Sequence, residues 1–202
     1  HLADESDSHA MDLYICLFGV YGALTVGNAA AAQALQPRIT DTTLNPRNLD
    51  VSSFHHVLTL VNLHLGNFHD AEQHARQALA ASEEFRIVFL RFIAHLCLAG
   101  VLLELGKLNQ AAEHFEHAAR WSQGINSAAM THLCQLGNAL LAFKRGHPAE
   151  ALAHLGGAIE NAKIVGGHYT PFYYRETLSG LYVLGLDARL DVDYLQNQIR
   201  LQ

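Results

Sequence analysis

A forty-residue recurrence constrains this chain more than any other feature of its sequence. Gly66 opens Gly66-Asn67-Phe68-His69-Asp70-Ala71, Gly106 opens Gly106-Lys107-Leu108-Asn109-Gln110-Ala111, and Gly146 opens Gly146-His147-Pro148-Ala149-Glu150-Ala151. The three glycines are spaced 40 residues apart, with Gly27 39 before the first and Gly185 39 after the last. Five residues after each central glycine stands Ala71, Ala111 or Ala151, and four further on Ala75, Phe115 or Leu155. Three beyond that come Ala78, Ala118 and Ala158, and seven before each glycine a small residue, Thr59, Ala99 or Ala139. Self-similarity at such a period marks stacked supersecondary units, none of which buries its apolar face alone.

Each unit reads as a helical hairpin. The glycine takes a left-handed turn at the C-terminus of the first helix. The alanines that follow share one face of the second helix, and the small residue before the turn faces them, so the two axes approach closely. Pro148 fits, because proline is tolerated in the first helical turn. First helices such as 87–105 and 133–143 are apolar nearly all round and are expected in the interior. Second helices are amphipathic: Asp70, Glu72, Gln73, Arg76 and Gln77 alternate with Ala71, Ala75, Ala78 and Leu79.

The fold class is therefore all-α. Helices are predicted over about 11–26, 28–36, 50–65, 68–82, 84–105, 108–122, 126–145, 147–165, 171–186 and 191–201. They pair into repeats at about 11–36, 50–82, 84–122, 126–165 and 171–201, within one domain spanning 1–202. The segment Pro37 to Asn48, with two prolines and Thr-Asp-Thr-Thr, is the only long loop and the expected place for a kink.

Composition agrees. Of 202 residues, 29 are Ala and 32 Leu against only 4 Pro, a helical balance. Half the chain is hydrophobic and 16% charged, which excludes a disordered polyelectrolyte. A net charge of −6 gives no basic excess for phosphate backbones, so no direct nucleic-acid contact is expected. Cys16, Cys97 and Cys134 are odd in number and sit in apolar stretches, which points to reduced, buried thiols and a cytoplasmic location. The apolar part of 13–37 ends at Val26, too short for a membrane span. The acidic start without Met suggests a piece of a longer protein.

The repeat resembles the tetratricopeptide repeat over nearly the whole chain, with a period of 39–40 residues instead of 34 and no closing proline. That resemblance implies a right-handed α-solenoid of about five hairpins. The end of the chain, with Leu190, Asp191, Asp193, Tyr194, Ile199 and Arg200, resembles the closing segment of the helical-repeat region in large bacterial transcriptional regulators of the maltose-regulon-activator type. The glycine usual before the aliphatic residue is missing. This resemblance implies an ATP-binding switch module upstream, a DNA-binding effector domain downstream, and a sensor and oligomerisation role for the repeats. Partners would be a small-molecule inducer or a protein, with self-association as a further expectation. A free-standing adaptor for peptide segments is the alternative reading. Its repeated basic or amide clamp has only Asn62, Arg91, Asn138 and Lys144 to draw on, without regular spacing.

Motifs for catalysis are missing. Neither Gly-x-x-x-x-Gly-Lys-Ser/Thr nor Gly-x-Gly-x-x-Gly nor Gly-x-Ser-x-Gly occurs, so no catalytic residue and no cofactor is assigned to this chain. Among the 14 histidines, His55-His56 and His114-x-x-His117 suggest metal ligands but are read chiefly as polar surface residues. His114 and His117 share a helix face but have no metal-ligand motif beside them and are expected toward solvent, so no metal site is assigned. His56, His64 and His95 lie in apolar helices, where their ring nitrogens need partners. If those helices line a groove, His56 and His64 can donate to a ligand, together with Ser53, Glu104 and Lys144. Tyr169, Phe172, Tyr173 and Tyr174, beside Trp121, suit a protein interface or sugar stacking, or plain packing between helices.

Overall fold

The computed structural model describes residues 9–35, 48–84, 87–123, 125, 127–166 and 171–201, which contain ten helices and no strand. They are α1 (His9–Thr25), α2 (Ala29–Ala34), α3 (Asn48–His64), α4 (Phe68–Glu84), α5 (Val88–Glu104), α6 (Leu108–Ser122), α7 (Ala128–Lys144), α8 (Pro148–Ile164), α9 (Arg175–Asp187) and α10 (Val192–Leu201). Helices pack in neighbouring pairs, α3 on α4, α5 on α6 and α7 on α8 most extensively. The odd-numbered helices α1, α3, α5, α7 and α9 also touch one another in turn. The segment 36–47, where the long loop and its kink are expected, lies outside the described residues.

The hairpin turn repeats in its atoms. Gly66 N–H donates to Leu63 O and Asn67 N–H to Asn62 O, and Gly106 with Lys107 and Gly146 with His147 make the same two bonds to the ends of α5 and α7. All three glycines hold φ between 71° and 78°, a left-handed conformation that costs a side-chain-bearing residue roughly 1 kcal/mol or more. Gly27 makes the same turn, and Asn28 then caps α2 by accepting from Ala31 N–H at 2.9 Å.

Gly185 does not. It is buried inside α9, where an added Cβ would stand 2.7 Å from Leu195 and 2.9 Å from Leu155. The left-handed residue of this last turn is Arg189, at φ 56°, four residues later. The missing side chain at 185 serves close packing, and α9 runs one turn further than the glycine spacing predicts.

The alanine register holds. Ala71, Ala75 and Ala78, Ala111, Phe115 and Ala118, and Ala151, Leu155 and Ala158 are all buried, as are Thr59, Ala99 and Ala139 opposite them. The first helices are buried nearly all round, α5 continuously from Phe92 to Leu103. Two helix starts differ from expectation. α5 begins at Val88, and α9 begins at Arg175, because Pro171–Tyr174 leaves helical geometry to lie across other helices. All three cysteines are buried, and none is in a disulfide. Among the described residues no helix is long and apolar enough to cross a membrane.

Candidate functional site

Sequence neighbours do not build the site; a returning strand of chain does. After α8 the polypeptide comes back along the odd-numbered helices. Pro171 O accepts from His64 Nε2 at 3.1 Å, across 107 residues of sequence. Phe172 stands edge-on to Tyr21 of α1, with ring centroids 6.1 Å apart, and lies against His56 of α3 at the same distance. Tyr173 is buried and its hydroxyl donates to Leu133 O of α7 at 2.7 Å. Tyr174 meets Phe68 edge-on at 5.1 Å.

Two glycines make room for this strap. A Cβ on Gly100 would fall 2.9 Å from Phe172 O, and one on Gly137 would fall 2.7 Å from the Tyr173 hydroxyl and closer still to the Phe115 ring. Both sit in helix interiors, where glycine costs roughly 1 kcal/mol against alanine. Close approach of the strap at Gly100, and of the Phe115 ring together with the strap at Gly137, is the physical reason they are there.

Beyond His56, which lies against Phe172, a cavity of about 80 Å³ opens between α1, α3, α4 and α5. Its polar edge is Tyr21, Ser52, Ser53 and His56; Phe89, Leu90 and Ile93 supply the main apolar surface. His56 is the node. Its Nε2 bonds to the Tyr21 hydroxyl, and its Nδ1 lies 3.5 Å from Cys97 Sγ. The hydroxyl is the stronger donor, so it donates to Nε2 and leaves the Nδ1 proton to the sulfur. Burial lowers the His56 pKa to about 4 and pushes both the Tyr21 hydroxyl and the Cys97 thiol up. At neutral pH the node is therefore three uncharged groups, set for hydrogen bonding and not for charge. Ser52 is occupied, donating to Ala78 O at 3.3 Å.

A second cavity, of about 100 Å³, lies between Leu24, Gly27, Ala29, His64, Tyr174, Arg175 and Glu176. Burial, against which the Pro171 hydrogen bond works, leaves His64 below its ordinary pKa.

The five residues expected in a groove thus fall into three places. Ser53 and His56 share the first cavity, and His64 edges the second. Glu104 and Lys144, one repeat apart, pair with each other at 2.8 Å, and Thr177 donates to the same Glu104 oxygen at 2.8 Å. That ion pair ties α5, α7 and α9 together. Of the expected interface aromatics, Phe172 and Tyr173 are buried under the chain's own helices, so an outward-facing surface at these two is corrected to an internal one. Tyr169 lies outside the described residues. Trp121 is not beside them: the Arg91 guanidinium stacks over it at 4.9 Å.

Tyr21 and Cys97 were not among the expected site residues. Each sits in an apolar helix, 35 and 41 residues from His56. A polar atom in an otherwise apolar helix is the one signal that could have found them. The histidines also depart from expectation. His114 is half-buried and hydrogen-bonded to His95 at 2.9 Å, and His117 stacks on His95 at 4.7 Å. Compared with models of known protein families and with curated proteins, the chain matches none.

Proposed function

We propose that this chain is a non-catalytic sensor and oligomerisation segment of a bacterial transcriptional regulator. In this reading the helical pairs form a right-handed, tetratricopeptide-like α-solenoid with a 39–40-residue period. An effector small molecule binds in the cavity edged by Ser53 and His56. The signal passes to a DNA-binding domain, and to an ATP-dependent switch, that lie outside this chain. The protein works in the cytoplasm and meets DNA only through that other domain.

One observation carries the reading: the first cavity is bounded by helices of three successive pairs, α1, α3 with α4, and α5. His56 at its edge also touches the returning strap through Phe172. An occupant would contact elements far apart in sequence, and a ligand shifts a conformational equilibrium only through such differential contacts. The uncharged edge favours neutral effectors that accept and donate hydrogen bonds.

The test is a thermal-shift screen of small metabolites, including oligosaccharides, amino acids and nucleotides. A ligand at about 100 times its dissociation constant stabilises the native state by about 2.7 kcal/mol. The expected result is a hit whose shift disappears in Ser53→Leu, which fills the cavity mouth from a half-buried position. A hit that survives Ser53→Leu places the effector elsewhere, and a panel without any hit refutes a small-molecule sensor.

A further inference from the structure

The forty-residue period recurs in a feature that the cavity does not use. His55 and His74 stand 19 residues apart across the α3–α4 pair, with their Nδ1 atoms 3.1 Å from each other. His95 and His114 occupy the same two positions one repeat later, across α5 and α6, with Nδ1 atoms 2.9 Å apart. In the next repeat the rung is Gln135 Oε1 to His154 Nδ1, at 2.9 Å. The rings of the first two rungs lie close to parallel, 24° and 34° from it, with centroids 5.3 and 5.2 Å apart.

We propose that the rungs His55–His74 and His95–His114 each chelate one divalent transition-metal ion of the nickel and copper class through their paired Nδ1 atoms. Two nitrogens about 2.05 Å from one ion are about 2.9 Å apart at a right angle and about 3.3 Å apart at the tetrahedral angle. The observed 3.1 and 2.9 Å are hydrogen-bond spacings in the free rungs, and a small rotation of the rings brings both nitrogens onto one ion; among the divalent ions that imidazole suits, nickel and copper stand highest in affinity. Among the described residues no group of three or more His, Cys, Asp and Glu is gathered around one ion position. Each rung therefore supplies two protein ligands, and water completes the shell.

Lone pairs are available at neutral pH. Burial first, and the facing imidazole second, hold His55 below its ordinary pKa, and burial does the same for His74 and His114 and takes His95 to about 4. In the free rung one Nδ1 donates and the other accepts. Metal binding moves the donating ring to its Nε2–H tautomer, so both Nδ1 atoms face the ion without net proton release. Surrounding charges rank the two sites. Asp70 faces His74 in the first rung, while Arg91, Arg120 and His117 surround His95 in the second, where Glu113 and Arg76 face His114. A cation is repelled more at the second rung, so the first binds tighter.

Gln135 supplies the control. Gln is already accommodated at this position, with the rung hydrogen bond intact, so His55→Gln and His95→Gln are expected to fold. The experiment is calorimetric titration of nickel(II) chloride into tag-free, chelator-stripped protein, with the helical circular dichroism of each variant checked first. The other histidines give every variant the same background. The double variant His55→Gln/His95→Gln is expected to bind two equivalents fewer than the wild type, with His55→Gln removing the tighter one. Gln135→His completes the third rung and is expected to bind one equivalent more. A wild type that matches the double variant, or a Gln135→His protein that gains nothing, overturns the proposal.

Discussion

Acid should loosen this fold through His56 by an amount that can be isolated. Unfolded, the imidazole has a pKa of 6.5; folded, burial lowers it to about 4. The folded pKa of a base is depressed, so the stabilisation is complete above pH 6.5 and is lost as pH falls toward 4. The groups facing His56, the Tyr21 hydroxyl and the Cys97 thiol, stay protonated and neutral over that range and do not compensate a charge. A difference of about 2.5 units corresponds to about 3 kcal/mol at the acid limit, and to about 2 kcal/mol between pH 7.5 and pH 5. Urea unfolding at these two pH values measures it. His55, His64, His74, His95, His114 and His132 also have lowered pKa values and add their own losses, so the comparison is with His56→Gln at both pH values. The wild type should lose about 2 kcal/mol more than the variant on acidification. Equal losses in the two proteins would mean that the imidazole is charged, or reached by water, in the folded state, and the neutral node would be refuted.

The strap gives two further predictions. Gly137→Ala drives a methyl group into the Tyr173 hydroxyl and the Phe115 ring and should cost about 1–3 kcal/mol. Gly22→Ala, in α1 with open space around its Cβ position, should instead be neutral or stabilise by up to about 1 kcal/mol; both are read from urea midpoints, and equal effects would sink the close-approach argument. Tyr173→Phe removes the hydroxyl's bond to Leu133 O, which keeps its partner within α7, and should cost about 0.5–1.5 kcal/mol by the same measurement, while an unchanged midpoint would show that the bond adds no net stability.

The repeat architecture was legible because it is local. Glycine at a helix end and alanine at fixed offsets after it act through the backbone geometry of a few consecutive residues, and the turns at Gly27, Gly66, Gly106 and Gly146 follow. Gly185 misled for the same reason: a glycine in a helix interior and one at a helix end look alike until the neighbour, here Leu195, is known. The histidine rungs were within reach as well. His55 and His95, and His74, His114 and His154, carry the same 40-residue spacing as the glycines, and reading the histidines one helix at a time concealed it.

The sequence by itself determined the helices, their pairing and the close contact faces, since periodicity and turn chemistry depend on neighbours within about one repeat. Only the tertiary structure decided what meets across repeats: His56 with Tyr21 and Cys97, Pro171 with His64, Tyr173 in the space left by Gly100 and Gly137. Those meetings depend on where the chain goes after α8. No local propensity encodes that path, because its direction is selected by burial of Phe172 and Tyr173 against helices of earlier repeats.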